Sequence, residues 1–223
     1  MKVSFDFLSE PIALSENRIN TLCIEDSALF RNIISSFYRA ETDEANIVFS
    51  KNYEPFKAKG NICFIYDYLN LSYSASTIKK LYESIEKYCV NEIANETQKV
   101  RTDIISFMEL IVNAYDFDFE YSFDVGMSDI FKMVGLKPNI SDDSLLSALL
   151  DYILITDKYI KTKCFVLSNL HIFFNDEEIN RLYSDLLSNH IVILVIENKK
   201  SFSKNEMENL YIYDKDLCEI VEK

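Results

Sequence analysis

Glycine, proline and tryptophan are scarce in this sequence. Its 223 residues include 3 Gly, 3 Pro and no Trp. A chain with so few flexible spacers, in which 48% of the residues are hydrophobic and 13% aromatic, is typical of a folded protein without long linkers. The length fits one large domain or two small ones, and no internal repeat or low-complexity tract interrupts it.

The scarcity of glycine argues against a nucleotide site. A phosphate-binding P-loop needs closely spaced glycines followed by a Lys-Ser or Lys-Thr step, and neither Gly60, Gly126 nor Gly135 lies in such a frame. The apolar run NICFIYD ends on Asp67, as a magnesium-binding strand of an ATPase would. Apolar strands ending in Asp are nevertheless common in α/β sheets. We therefore interpret Asp67 as structural and expect no nucleotide hydrolysis.

Histidines and closely paired cysteines are also lacking. His171 and His190 are the only histidines, and neither neighbours a Ser or Cys in a recognisable nucleophile arrangement. No two cysteines have the short spacing of a zinc ribbon. An odd number of widely spaced cysteines, mostly within apolar runs, predicts buried reduced thiols in a cytoplasmic protein. They are Cys23, Cys63, Cys89, Cys164 and Cys218.

Long apolar runs are absent as well. No stretch approaches the ~18 uninterrupted apolar residues that a membrane span requires, so we expect no membrane segment. The first residues, MKVSFDFLSE, lack the apolar core and the small residues of a secretory signal, so none is expected.

Positive charge is outweighed by negative charge. The sequence contains 36 Asp and Glu and 23 Lys and Arg, which gives a net charge of -13. This charge argues against a uniformly basic surface for nucleic acid. Seven acids and no base occur between Arg101 and Lys132. Elsewhere lysines form small groups, which either contact phosphates or lie in solvated loops. The groups are Lys57 with Lys59, Lys79 with Lys80, Lys158 with Lys161 and Lys163, and Lys199 with Lys200 and Lys204.

The periodicity of apolar residues predicts an α/β fold. Apolar or alternating runs predict strands at KVSFDFL, IAL, INTLCIED, ANIVF, NICFIYD, CFVLSN, IVILVIE and NLYIYD. Helical spacing predicts a helix from Ser27 and another after Asn175, where Glu178 completes a capping-box pattern. Because IVILVIE is apolar almost throughout, it fits a strand covered on both faces of a parallel sheet, and the last third contains a βαβ unit.

A mostly helical insertion interrupts the predicted sheet. Helical spacing covers four segments: 78–93, 104–115, 128–134 and the residues after Ser141. Asp142 and Asp143 suit the first turn of the last of these helices. The predicted organisation is 1–68 for the first part of a sheet domain, 69–157 for the insertion and 158–223 for the second part of the sheet domain.

The run YDFDFEYSFD is the best candidate site within the insertion. Alternation of aromatic and acidic residues has the side-chain period of a strand, which predicts inward aromatics on one face and Asp116, Asp118 and Glu120 on the other. Crowded carboxylates need compensation by solvent, a basic partner or a divalent cation. Calcium takes about six to eight oxygens, and Asp124 and Asp129 are near enough to join. A solvated acidic strand edge is the alternative.

Three stretches share their pattern with a known family. FDFLSEPIALSENRINTLCIEDSALFRNIISSFY contains a strand, an E-P turn, a second strand, and a strand ending on two acids before a helix. FDFEYSFDVGMSDIFKMVGLK contains an acidic segment, a helix and a Gly-Leu-Lys ending, and YIKTKCFVLSNLHIFFNDEEINRLYSDLL precedes IVILVIE in a closing βαβ unit. In these patterns the chain resembles the short form of the CRISPR-associated Csn-two family, the spacer-acquisition accessory proteins of subtype II-A systems.

The resemblance implies a specific architecture and activity. It implies a sheet head like a P-loop ATPase without the nucleotide site, with a helical leg domain inserted. It further implies that four subunits form a ring, which is expected to bind double-stranded DNA through a lysine-lined hole, preferably at ends and without sequence preference. Calcium is expected to support this ring. Such proteins act beside the adaptation integrase and the RNA-guided nuclease and are not known as enzymes.

The resemblance also assigns residues by position. The calcium ligands it implies are Asp118, Glu120 and Asp124, followed by Asp116 and Asp129. The DNA-binding lysines it implies are Lys132, Lys137, Lys158, Lys161 and Lys163, followed by Lys57 and Lys59.

Two other functions remain compatible with the sequence. In the first, a non-enzymatic interaction subunit docks a basic partner on its acidic sector and never holds DNA itself. It would bind an adaptation protein but retain no DNA in calcium. In the second, a divergent nuclease uses the acidic cluster with magnesium, and Asp118→Ala would abolish cleavage.

Overall fold

The computed structural model describes residues 1–39, 47–122 and 124–222. Its strands are β1 Lys2–Phe5, β2 Ile12–Ala13, β3 Ile19–Ile24, β4 Ile47–Lys51, β5 Glu54–Phe56, β6 Ile62–Ile65, β7 Cys164–Ser168, β8 Ile193–Glu197, β9 Glu208–Tyr213 and β10 Glu219–Glu222. Its helices are α1 Ser27–Arg39, α2 Ala75–Asn91, α3 Ala94–Val112, α4 Met127–Met133, α5 Leu145–Ile160, α6 Leu170–Phe173 and α7 Asp176–Ser188.

The chain divides into two compact units. One contains Met1–Ser72 and Ile140–Lys223, and we call it the sheet unit. The other is Tyr73–Asn139, and we call it the helical unit. The predicted α/β fold, a sheet domain with a mostly helical insertion, is confirmed. The predicted insertion extended to residue 157, whereas the structure places α5 in the sheet unit.

Two sheets build the sheet unit. The larger has the order β10-β9-β3-β8-β7-β6, in which β10 is antiparallel to β9 and the other neighbours are parallel. The smaller has the order β2-β1-β4-β5 and is antiparallel. The pair β7 and β8, connected through α6 and α7, is the predicted βαβ unit.

The central strands of the larger sheet are buried on both faces. In β7, Phe165 and Leu167 belong to a core with α5 and α7. Cys164 and Val166 belong to a second core with α1, β1 and β4. The two faces alternate along the strand, so each position meets apolar side chains. This explains why CFVL and ILVI are apolar throughout rather than alternating.

Helix ends in the sheet unit follow local hydrogen bonding. The side chain of Asn175 accepts from the backbone of Glu178 and the Glu178 carboxylate accepts from the backbone of Asn175, which confirms the predicted capping box of α7. The prediction for α5 was wrong by one turn. Ser144, not Ser141, accepts from the backbone N–H of Ser147 and begins the helix, so its first turn has no acid.

The helical unit contains α2, α3 and α4. The Tyr82 hydroxyl donates to the carbonyl of Leu136 at 2.7 Å, and the Tyr82 ring lies 5.5 Å from that of Phe131, centroid to centroid. Thr97 donates to the carbonyl of Cys89 at 2.9 Å and so joins α3 to α2. Since Thr97 is the only buried residue of α3, most of this helix is solvent-accessible in the single chain.

Two strands also differ from the sequence-based prediction. The strand ANIVF is observed from Ile47, and its first two residues lie outside the described residues. The terminal strand β10 was not predicted.

Within the described ranges there is no disulfide: Cys23, Cys89 and Cys164 are buried, whereas Cys218 is exposed. No helix in these ranges is long and apolar enough to cross a membrane.

Candidate nucleic-acid interface and acidic segment

Lysines from two distant parts of the sequence share one edge of the larger sheet. Because β6 and β7 are parallel and their first residues lie opposite each other, the segments preceding them arrive at the same edge. Lys57 and Lys59 precede β6, and Lys161 and Lys163 precede β7. The last turn of α5 adds Lys158, and all of these lysines are exposed. We call Lys57, Lys59, Lys158, Lys161 and Lys163 the basic edge.

Asn61 connects the two lysine-bearing segments. Its Nδ2 donates to the carbonyl of Lys57 at 2.9 Å and to the carbonyl of Lys59 at 3.4 Å. Its own carbonyl accepts from the backbone N–H of Lys163 at 2.7 Å. A single residue therefore holds the backbone on both sides of the basic edge.

Local backbone and ring contacts orient several lysines further. The Lys163 ammonium lies 4.1 Å from the centroid of the Phe56 ring, close enough for a cation–π contact. Lys161 is the C-cap of α5 in the left-handed conformation (φ 57°), with its N–H donating to the carbonyl of Asp157. Gly60 also has positive φ (75°), which glycine adopts without strain. The basic edge thus sits on two defined turns.

One carboxyl lies within the same region. Asp157 occupies the last turn of α5, one residue before Lys158. Burial raises the pKa of the Asp157 carboxyl above its ordinary value of 3.8, because desolvation disfavours the charged form. This is the only shifted acid among the described residues of α5.

The other two predicted DNA-binding lysines belong to the helical unit. The Lys132 ammonium lies 2.9 Å from the Asp129 carboxylate, three residues away on α4, and both side chains are well exposed. A predicted DNA contact and a predicted calcium ligand therefore bind each other. Lys137 is exposed in the segment after α4. These two lysines are not part of the basic edge.

The acidic segment does not form the predicted strand. Residues 113–122 have no strand pairing, and the turn after α3 uses bonds from Ala114 and Tyr115 to carbonyls of its last residues. The aromatics do gather on one another, with ring centroids 5.4 Å apart for Tyr115–Phe117 and 4.8 Å for Phe117–Phe119. They remain exposed, at 55% for Tyr115 and 61% for Phe117. The predicted inward packing is wrong, because no strand or core among the described residues covers these rings.

The predicted calcium ligands are not gathered into one set. In the parts of the chain that the structure describes, which contain all five acids, no three His, Cys, Asp or Glu lie together as metal ligands. Asp116, Asp118, Glu120 and Asp124 are each exposed. As placed, these residues do not fit a calcium ion, which takes about six to eight oxygens. A calcium site in this segment remains a prediction that requires the carboxylates to move together.

Polar side chains that already have hydrogen-bond partners lie at the carboxyl ends of the strands of the larger sheet, opposite the basic edge. In α/β sheets, ligands usually bind beyond the carboxyl ends of the strands. Here Glu197, at the end of β8, accepts from the backbone N–H of His171 at 3.1 Å and lies 2.8 Å from its Nδ1. The Phe202 ring stacks on the imidazole at 3.6 Å between centroids. Asp67, after β6, accepts from the Asn70 side chain at 2.7 Å, and this bond lowers its pKa.

Comparison with known proteins identifies the family. The sequence model of the Cas_Csn2 family, described as CRISPR-associated protein, matches residues 39–217. The chain belongs to this family. It is the family that the sequence patterns resemble, and the CRISPR association of the protein is therefore established.

Similar proteins agree with this assignment. The CRISPR-associated protein Csn2 of Streptococcus agalactiae is 23% identical over 97% of this chain and 96% of the relative. The match to the crystal structure of Stu0660 of Streptococcus thermophilus covers 100% of this chain and 76% of that protein, with a TM-score of 0.63 and 13% identity. At this identity the match supports the fold alone. A putative ATP-binding ABC transporter protein from Pyrococcus furiosus has a TM-score of 0.41 and 11% identity, covering 94% of both chains.

Two residues that contact the basic edge, Asn61 and Phe56, were not predicted from the sequence as part of a site. Asn61 and Phe56 carry no charge. Asn61 is the first residue of the predicted strand NICFIYD, and Phe56 lies between the predicted strands ANIVF and NICFIYD. Their roles depend on Lys163, which is about a hundred residues away in sequence. Only the pairing of β6 with β7 reveals the contact.

Proposed function

We propose that this CRISPR-associated protein is a non-catalytic protein of spacer acquisition that binds double-stranded DNA without sequence preference, preferably at ends. Exposed lysines on one edge of a sheet are suited to phosphates, since phosphate contacts supply affinity without reading sequence. The observation that carries the proposal is the basic edge, which joins lysines from two distant segments. Net charge of -13 does not oppose this, because binding requires only the local surface to be basic.

The proposal includes a closed homotetramer and calcium. A ring would repeat the basic edge around a hole and focus its potential on threaded DNA. Calcium binding by Asp116, Asp118, Glu120, Asp124 and Asp129 would neutralise part of the acidic segment. The adaptation integrase and the RNA-guided nuclease are the proposed protein partners. Light scattering with calcium should give the mass of four chains, and chelator should shift it.

The experiment compares linear with closed-circular duplex DNA, in calcium and in chelator, at about 50 and about 200 mM salt. We expect retention on linear DNA that requires calcium and weakens with salt. The double variant Lys161→Gln/Lys163→Gln should bind more weakly. The slope of log affinity against log salt should fall by about 0.9 for each phosphate that the variant no longer neutralises.

A matched control lies on the same sheet. Lys199 is exposed after β8, at the carboxyl edge opposite the basic edge. Lys199→Gln removes one positive charge, as the single variants Lys161→Gln and Lys163→Gln each do, but unlike them it should leave DNA affinity nearly unchanged. Equal weakening by Lys199→Gln would mean that overall charge, not the basic edge, sets the affinity. Failure of wild-type protein to bind either DNA would contradict the proposal.

A second candidate is favoured by the acidic segment. Carboxylates interspersed with exposed, mutually packed aromatics are suited to a basic protein partner, because aromatic residues are enriched at interface centres. In this alternative the protein links members of an adaptation complex and does not bind DNA. Complex formation with an adaptation protein, unaffected by Lys161→Gln/Lys163→Gln and lost in Phe117→Ser, would favour it.

A further inference from the structure

We propose that Asn61 positions the basic edge for phosphate binding by holding both lysine-bearing turns to the start of β6 and β7. The inference rests on the proposed DNA-binding function and names a residue that acts through the lysines. Asn61 itself is uncharged and half-buried, so its contribution differs in kind from that of an ammonium group.

Three hydrogen bonds support this role. The Nδ2 group donates to the carbonyls of Lys57 and Lys59 at 2.9 and 3.4 Å, which fixes the backbone that carries these two side chains. The Asn61 carbonyl accepts from the N–H of Lys163 at 2.7 Å. Because the side chain and the main chain of one residue serve opposite segments, the two lysine groups are held at a fixed separation.

Holding the backbone matters because lysine side chains are flexible. Each ordered side chain costs conformational entropy on binding, and preorganisation reduces that cost. Phe56 adds a second restraint, since its ring lies under the Lys163 ammonium at 4.1 Å. An edge whose backbone is fixed loses less freedom when it contacts a rigid duplex.

The side-chain bonds can be removed separately from the main-chain bond. Asn61→Ala deletes both bonds to the turn that carries Lys57 and Lys59 and keeps the carbonyl that accepts from Lys163. We expect affinity for a short linear duplex to fall about three- to tenfold, the range of one or two missing hydrogen bonds. The net charge is unchanged, so a loss of affinity cannot come from a missing cation.

A double-variant cycle separates positioning from a general structural effect. If Asn61 acts through these lysines, Asn61→Ala should have little further effect in a Lys57→Gln/Lys59→Gln background. The salt slope of Asn61→Ala should also fall towards that of the double lysine variant. Equal losses in both backgrounds, or an affinity unchanged by Asn61→Ala, would overturn the inference.

The outcomes distinguish this inference from the proposed function. If Lys161→Gln/Lys163→Gln weakens binding but Asn61→Ala does not, only the positioning role fails. If wild-type protein binds no DNA, the proposed function fails and the inference with it. Thermal unfolding of each variant checks folding. Should Asn61→Ala unfold, Asn61→Ser, whose side chain is too short to reach both carbonyls, replaces it in the same cycle.

Discussion

His171 and Glu197 form a nearly buried pair at the carboxyl end of β8. The imidazole Nδ1 lies 2.8 Å from the carboxylate, and the two side chains are only 7% and 3% exposed. The stacked Phe202 ring covers the imidazole. A carboxylate in this position needs hydrogen-bond donors, because an unpaired buried charge costs far more than a paired one.

Replacing His171 should therefore destabilise the protein. His171→Ala removes the ring partner of Glu197, and we expect the free energy of unfolding to fall by about 1.5–3 kcal/mol. Urea unfolding measures the change. His190→Ala is the matched control, since His190 is 76% exposed and lies 3.7 Å from Glu16. Its effect should stay within about 0.5 kcal/mol, and equal losses in the two variants would contradict the role of the buried pair.

The capping box of α7 gives a second stability prediction. Asn175→Ala removes the acceptor for the N–H groups of Glu177 and Glu178, both at 3.0 Å. We expect a loss of about 1 kcal/mol, the usual value for an N-cap, measured by thermal unfolding. Ser184→Ala, at an exposed position within the same helix, should cause no loss. A neutral result for Asn175→Ala would mean that tertiary packing alone fixes the helix start.

Local signals in the sequence predicted most of the fold. The capping residues of α7 and the apolar runs CFVL of β7 and ILVI of β8 required no knowledge of distant residues, and both predictions are confirmed. The acidic segment was wrongly predicted as a strand, because alternation of side chains shows only that the two faces of a strand would differ. A strand also needs a neighbour for its hydrogen bonds, and residues 113–122 have none among the described residues.

The candidate site was only partly predictable for a related reason. The lysines of the basic edge could be named from charge, but their meeting depends on the parallel pairing of β6 with β7. The role of Asn61 depends on the same pairing. Short-range patterns do not encode which strands become neighbours when about a hundred residues separate them.

Asp157 makes stability depend on pH. Its carboxyl has a raised pKa in the folded state, so the folded protein binds the proton more tightly than the unfolded chain does. Stability therefore falls as the pH rises through the range from 3.8 upwards. Asp157→Asn should be more stable than wild type at pH 7, by less than about 1 kcal/mol because solvent screens a partly exposed group.

The gain from Asp157→Asn should vanish at low pH. Below the ordinary pKa of 3.8 the carboxyl is protonated in both states, so wild type and variant should unfold at the same temperature. Thermal unfolding at several pH values measures this difference. Asp142→Asn, at an exposed position before α5, controls for the change in net charge. A gain that persists at acidic pH would contradict burial as its cause.

The contact between Lys132 and Asp129 makes the proposed calcium site testable. If Asp129 is a calcium ligand, the ion must displace the ammonium group that lies 2.9 Å away. An exposed ion pair contributes about 0.2–1 kcal/mol, so removing the competitor should tighten calcium binding up to about fivefold. Titration calorimetry of Lys132→Gln with calcium alone measures this affinity.

Lys137→Gln separates competition at one carboxylate from a general charge effect. Lys137 is exposed on the same unit, and its replacement also removes one positive charge without freeing Asp129. Tighter binding in Lys132→Gln alone would therefore indicate that Asp129 coordinates the ion. Equal changes of calcium affinity in the two variants would indicate that the affinity depends only on the electrostatic potential around the acidic segment. Because Asp118→Ala should weaken binding in either case, no effect of that substitution would mean that calcium does not bind this segment.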